Sequence, residues 1–314
     1  MPARSRSWIT MAAVVLVVTI GLAAGLYGRQ IRSFVSHVTG SPTKTWPLEP
    51  FPPDAQPDLR VAVAGDVGYA NSRERRTADA IANAGRTDPY DALLLLGDNV
   101  YPSGDPEQLP ETVFEPFREV LDTGAELLAI LGNHDVKTSG AADRQIAALG
   151  LPGRWYARQL GELTLIALDS TDIQNPQQLA WLDRTLATVT TTWKVVALHH
   201  PPYSAGYQGS SMEARDTFSP LFERYGVQLV LSGHEHDYQR SKPLNGVTYV
   251  VSGGAADTRR TGSDDFTAAS GSWHHFVDLS VFADHLLLRA VNQSGRVFDE
   301  VSIGTGAASK PPAP

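Results

Sequence analysis

The stretch Leu93–Tyr101 reads LLLLGDNVY, four leucines running into glycine and aspartate, with a tyrosine three residues further on. A short apolar run that stops at Gly-Asp is the signature of a buried strand whose carboxyl end carries a functional side chain. The same grammar recurs on either side of it. Val61–Gly68 is VAVAGDVG, Leu128–Asp135 is LAILGNHD, Val195–His200 is VVALHH and Leu229–His236 is LVLSGHEH. Runs of this length and continuity suit strands buried on both faces. Glycine at a strand end lets the backbone turn sharply, and in α/β sheets ligands bind beyond the carboxyl ends of strands. The five motifs together supply Asp66, Asp98, Tyr101, Asn133, His199, His234 and His236, all oxygen or nitrogen donors, enough to hold two metal ions side by side.

Apolar runs at 59–64, 92–96, 126–131, 163–168, 194–198, 227–231 and 247–251 predict strands, and 72–84, 106–120, 141–149, 176–186 and 212–225 read as helices. Alternation of the two predicts an α/β fold with parallel or mixed strands. After Phe276 the pattern changes. Segments 276–282, 285–292 and 297–303 alternate like a β-meander, and are expected to supply a second, antiparallel sheet.

The chain has 314 residues, 42% of them hydrophobic, which suffices for one α/β domain with an appendage. The formal net charge of −8 opposes a general nucleic-acid-binding surface, although bound cations would override the local field for a phosphate ester. With no cysteine there is neither a disulfide nor a thiolate metal site, so any metal is held by nitrogen and oxygen, which suits Zn, Fe or Mn. Residues 1–36 contain the uncharged apolar segment Ile9–Tyr27, flanked by Arg4, Arg6, Arg29 and Arg32. Its length, close to the ~20 residues that span a bilayer, favours an uncleaved signal-anchor helix over a cleaved signal peptide. Either reading places the catalytic part outside the cytoplasm, membrane-anchored in the first and secreted in the second. Residues 37–57, rich in proline, read as an extended linker. The catalytic domain is expected over 58–304, and 305–314 reads as a flexible tail.

The motifs, in this order, resemble those of the calcineurin-like metallophosphoesterase superfamily. GDNVY, with flanking text such as QLAWLDRTL and GHEHDYQR, is similar to the tartrate-resistant branch of the purple acid phosphatases. The resemblance implies a four-layer α/β/β/α sandwich of two mixed sheets flanked by helices. It implies that Asp66, Tyr101 and His236 bind a first metal, ferric iron. Asn133, His199 and His234 then bind a second, divalent iron, zinc or manganese, and Asp98 bridges the two. Hard anionic oxygens favour a trivalent cation, and imidazoles with a neutral amide a divalent one. The activity implied is hydrolysis of a phosphoric monoester, with a metal-bound hydroxide as nucleophile.

His134 resembles the family's substrate-binding histidine and is the candidate for protonating the leaving group, with Asp135 orienting or polarising it. Asn133 also faces substrate. The family usually has another histidine nine residues after the ligand matched to His199; here that position is Gln208, which can bond phosphate but cannot donate a proton of matched pKa. His200, Tyr207, His274 or His275 are the groups that would otherwise reach in, with His200 a weaker substrate contact. The partner is a small phosphate ester, together with a membrane if the N-terminal helix is retained. A phosphodiesterase or nucleotide-ester hydrolase uses the same metal pair, and loops 102–109, 203–211 and 255–272 would decide between them. A non-catalytic phosphate- or metal-binding surface protein is the third alternative.

Overall fold

A computed structural model of the protein describes residues 44–305. The apolar segment Ile9–Tyr27, with its expected helix, and the tail beyond 305 lie outside the described residues. Among the described residues no helix is long and apolar enough to cross a membrane.

In chain order, β1 (Trp46–Pro47), β2 (Leu59–Ala64), β3 (Ala92–Leu95) and β4 (Glu126–Ala129) open a first sheet. β5 (Tyr156–Leu160), β6 (Leu163–Ala167), β7 (Trp193–Ala197), β8 (Leu229–Ser232), β9 (Tyr238–Ser241), β10 (Thr248–Ser252) and β11 (Thr267–Gly271) make the second. β12 (His275–Val281), β13 (His285–Asn292) and β14 (Arg296–Gly304) then return to the first. The strand orders are β1-β14-β13-β12-β2-β3-β4 and β11-β9-β10-β8-β7-β6-β5. Both sheets are mixed. β2, β3 and β4 run parallel, as do β6, β7, β8 and β10, while β12 joins β2 antiparallel.

The apolar runs are continuous because each strand is covered on both faces. Val61, Val63, Leu94 and Leu96 pack between the sheets with Leu165, Ala167, Val195, Ala197, Leu229 and Leu231. Their alternates Ala62, Ala64, Leu93 and Leu95 meet Ile81 of helix α1 (Ser72–Ala84) and Phe117, just before α2 (Arg118–Leu121). A third helix, α3 (Ala141–Leu149), follows β4. On the far side, Ile166, Val196 and Val230 meet Leu182 and Leu186 of α4 (Pro176–Thr188) and Phe218 and Phe222 of α5 (Met212–Arg224). The four-layer α/β/β/α order follows, and each fully buried Leu, Val or Phe contributes about 1.5–3 kcal/mol. Polar bonds tie the sheets together. The Tyr156 hydroxyl donates to Ala129 O (2.9 Å), Trp193 Nε1 to Phe282 O (3.0 Å), and Tyr238 and Arg240 converge on Asp299.

Several expectations are corrected. The C-terminal meander does not build a separate antiparallel sheet; it extends the first, because β12 takes the free edge of β2. The helix predicted over 106–120 is broken into the turns Pro106–Gln108 and Pro110–Phe114 and the short α2. Pro110 and Pro116 lack the N–H that a continuous helix needs. Where it is described, the Pro-rich segment lies against the first sheet. Trp46 and Pro47 pair with β14, and Phe51 packs edge-on against Phe282 at 5.5 Å. By contrast, α1 begins where its sequence indicates: the Asn71 side chain accepts from the Arg73 and Glu74 amides, and Glu74 reaches back to Asn71 N.

At the β2–β12–β13 junction, buried Asp278 accepts from Arg60 and Arg289, both at 2.9 Å, and the three side chains are 0–7% exposed. Asp278→Ala leaves two guanidinium groups buried without their shared counter-charge. It is expected to cost about 3–5 kcal/mol of stability, read as a lower urea midpoint.

Candidate metal centre

All five motifs emerge at one edge of the two sheets, from the carboxyl ends of β2, β3, β4, β7 and β8. Asp66, Asp98 and His234 adopt left-handed backbone conformations, with φ of 59°, 52° and 71°. Such conformations are unfavourable for residues other than glycine and persist only where surrounding contacts enforce them. Here the contacts cross between strand ends. Asp66 N donates to Gly97 O and Gly68 N to Asp98 O, each at 3.1 Å. The His134 amide donates to Asp98 Oδ1 (2.7 Å) and the His234 amide to Asp66 Oδ2 (2.8 Å). Each carboxylate is thus pinned by a backbone N–H from a different strand end. Gly132 admits no side chain, since a Cβ there would collide with the Asp98 carboxylate and amide.

The donors form two groups that share Asp98. In the first, the Tyr101 hydroxyl lies 3.0 Å from Asp66 Oδ1, 3.0 Å from Asp98 Oδ2 and 3.1 Å from His236 Nε2. In the second, Asn133 Oδ1 lies 2.9 Å from His234 Nδ1 and 3.2 Å from His199 Nε2. His199 Nε2 is also 3.4 Å from Asp98 Oδ2, so one carboxylate oxygen faces both groups. Ligand atoms of Asp66, Asp98 and His199 all lie within 4.8 Å of one another. His199 Nδ1 is 2.8 Å from Leu96 O, an acceptor only, which fixes the proton on Nδ1 and turns Nε2 into the site. His236 Nδ1 faces Asp257 at 3.4 Å and likewise presents Nε2.

The electrostatics fit cations. Among the described residues, the ion-pair partners of Asp66 and Asp98 are His236 and His199, with no lysine or arginine. Burial opposes the Asp98 charge, but His199 beside it holds the carboxyl well below its ordinary value. Burial likewise opposes the charge on His199, but Asp98 and Asp66 lift that imidazole to about 10. Burial, then Asp66 and Asp98, push the Tyr101 phenol far above its usual range. Burial, with His199 and His200, lowers His234 to about 2. Two buried carboxylates crowded on a phenol, facing imidazole nitrogens, match the donor chemistry of a metal pair.

The calcineurin-like phosphoesterase family profile matches residues 59–238. The chain belongs to that family. It is 29% identical to tartrate-resistant acid phosphatase type 5 of rabbit (Oryctolagus cuniculus), over 66% of this chain and 75% of that protein. The mouse (Mus musculus) protein is 28% identical, over 63% and 72%. Among solved structures, purple acid phosphatase PPD1 from yellow lupin (Lupinus luteus) seeds superimposes with a TM-score of 0.68 at 19% identity, covering 81% of this chain and 55% of that one. GAP50, the anchor in the inner membrane complex of Plasmodium, superimposes at 0.69 with 16% identity, covering 78% and 88%. These structures share the fold. Within the calcineurin-like phosphoesterase family, the resemblance to tartrate-resistant enzymes makes this chain a metal-dependent phosphatase.

Other residues singled out from the sequence fall differently in this phosphoesterase. The His134 ring lies against Tyr101 at 4.4 Å, its Nδ1 2.8 Å from Pro102 O, and Lys137 Nζ comes within 3.1 Å of its Nε2. Asp135 does not orient that ring. Its buried carboxylate accepts from the amides of Asn99, Val100 and Gly132 and from Gln145 Nε2, tying the β3 and β4 loops together. Burial, then Asp98, raises Asp135 to about 6. His200 bonds Ser170 Oγ at 3.0 Å and leans on His234, whose ring centre is 4.5 Å away. Gln208 donates to His234 O at 3.3 Å and sits at the mouth. His275 is buried and bonds Ser252 Oγ and Trp273 O, while His274 bonds Gly254 O. Sequence reading missed Tyr69, which stacks on Tyr101 at 4.0 Å, and Asp257, which faces His236. Tyr69 follows the GDVG motif directly and could have been noticed; Asp257 lies in a loop without a motif.

Two outcomes are expected. Gly132→Ala displaces the Asp98 carboxylate, lowering metal content and reducing turnover by about 10²-fold, as misplacements of about 1 Å do. Metal loading of the apo-protein at pH 7 releases protons, because His199 is protonated there and must be neutral to ligate. Acidification of a weakly buffered solution on adding Zn2+ reads this directly.

Proposed function

We propose that the protein is a phosphoric monoester hydrolase of acid phosphatase type, with ferric iron held by Asp66, Asp98, Tyr101 and His236. A divalent iron, zinc or manganese ion is held by Asp98, Asn133, His199 and His234. The observation that carries this reading is the Tyr101 hydroxyl, within 3.0 Å of both carboxylates, which makes a hard oxygen pocket beside a nitrogen-rich one. When bound, such a pair supplies Lewis acidity toward phosphoryl oxygens and a hydroxide at mild pH.

The chain's own groups do the rest. Asp98 keeps the two halves in register, and Asn133 presents its amide to substrate. His134, anchored through Nδ1 against Tyr101, is the group placed to protonate the leaving oxygen. Gln208 supplies a hydrogen bond at the mouth without a titrating proton. Asp135 serves by fixing the loops that carry Asp98 and His134. The net charge of the site, two cations against Asp66, Asp98 and ionised Tyr101, is positive and suits a phosphate dianion. The uncharged segment Ile9–Tyr27 supports an extracytoplasmic, membrane-anchored protein; detection of the full-length chain in the membrane fraction, with its catalytic part open to external protease, checks that placement.

Purified protein is expected to hydrolyse a mono-aryl phosphate and to turn over the bis-aryl ester much more slowly; the reverse order would make it a diesterase. A violet absorption band is expected in the wild type and lost in Tyr101→Phe. A colourless active protein with two zinc or two manganese ions would contradict the ferric assignment. Asn133→Ala is expected to lose divalent metal and at least about 10–100-fold in activity. Phosphate binding by a two-metal protein that cleaves no ester would replace the enzyme by a binding protein.

A further inference from the structure

Among the described residues the exposed large apolar side chains are Trp46, Tyr69, Tyr207 and Met212. One of these aromatics, Tyr69, stands at the metal centre, and Tyr207 is carried by a loop bonded to the metal-ligand segment. Tyr69 leaves the Asp66 loop and stacks on Tyr101 with ring centres 4.0 Å apart and planes at 25°, edge-on to His236 at 6.1 Å. Tyr101 carries the hydroxyl on which both carboxylates converge, so the Tyr69 ring lies one ring thickness from the donor set. Tyr207 precedes Gln208 and is 78% exposed.

The loop that displays Tyr207 is braced against the metal-ligand segment. Glu235, between His234 and His236 and only 1% exposed, accepts the amides of Gln208 (2.5 Å) and Gly209 (2.6 Å). A side chain on Gly206 would come within 2.7 Å of the Glu235 carboxyl carbon, and Gln239 accepts the Ala205 amide at 2.7 Å. Burying a carboxylate costs free energy unless hydrogen bonds offset it, and here the bonds that offset it are those that fix the loop. From the opposite loop, the Arg259 amide donates to His236 O at 2.7 Å, and its guanidinium lies 6.0 Å from the centre of the Tyr207 ring. Two loops of different origin thus bring an aromatic face and a planar cation together above the His234–His236 segment, with Tyr69 on the neighbouring wall.

We propose that Tyr69, Tyr207 and Arg259 form a rim that selects phosphomonoesters bearing a planar aromatic group next to the ester oxygen. The assignment rests on the phosphatase reading above. A phosphoryl group held at the centre directs its leaving group outward, into the space these side chains border. Aromatic faces and a guanidinium favour an offset-stacked ring over a saturated group of equal size. None of the three touches the reacting atoms, and their effect is read as a change in KM for the aromatic ester.

Benzyl phosphate and cyclohexylmethyl phosphate test this, since both release a primary alcohol of similar bulk and differ in the flatness of the ring. The metal-loaded wild type is expected to show a KM about three- to tenfold lower for the benzyl ester at equal kcat. Tyr207→Ala should remove that preference, bringing the two KM values together, and Tyr207→Phe should keep it. Calorimetric binding of the two corresponding phosphonates should give the same ratio without turnover. Equal KM for the two esters in the wild type, or a preference that survives Tyr207→Ala, would overturn the rim alone. Turnover of neither ester would overturn the phosphatase reading and the rim with it.

Discussion

The carboxylate of Asp98 is the group on which the rest of the site depends. Its Oδ1 is fixed by the His134 amide, and its Oδ2 faces both Tyr101 and His199. It lies within 3.4 Å of a donor of each group. To put that one oxygen between them, the chain brings the end of β3 level with the ends of β2, β4, β7 and β8. Parallel neighbours within each sheet achieve this, because parallel strands end on the same side. Two sheets packed face to face then oppose their strand ends across a narrow crevice.

The arrangement is unfavourable in isolation. Three donors sit in left-handed backbone conformations, and among the described residues the two buried carboxylates pair with histidines and with no lysine or arginine. Such strain survives where surrounding structure over-determines it. Here the over-determination is visible: bonds from the His234 and His134 amides to the Asp66 and Asp98 carboxylates, glycines at 97, 132 and 233 with no room for a side chain, and Asp135 stapling the two loops from behind. A stiff hydrophobic sandwich supports a polar edge that would not hold itself. The same division explains why the rim aromatics Tyr69 and Tyr207 are exposed while the residues that brace the Tyr207 loop, Glu235 and Gln239, are buried.

Much of this was legible because strand cores and strand ends differ in chemistry. LLLL before Gly97-Asp98 announces a doubly buried strand and its functional terminus in one line of sequence, and all seven expected ligands converge. What could not be read was pairing at a distance. The meander 276–303 has strand periodicity, but nothing local says that Leu279 lies beside Val61, so its sheet was misassigned. The polar strands β5, β9 and β11 escaped for another reason. β5 is an exposed edge, and β9 carries Tyr238 and Arg240, whose polar ends are satisfied by Asp299 across the sandwich. Asp135 was misread because its neighbour His134 suggested a role. A carboxylate collecting three backbone amides leaves no trace in composition.

The most direct test of the central claim is the distance between two bound ions, measured by X-ray absorption or anomalous diffraction on the loaded protein. A shared Asp98 oxygen requires two ions per chain about 3.5–4 Å apart, with the pair reduced to a single ion in Asp98→Ala. One ion per chain in the wild type, or two ions too far apart to share a carboxylate, would contradict the account.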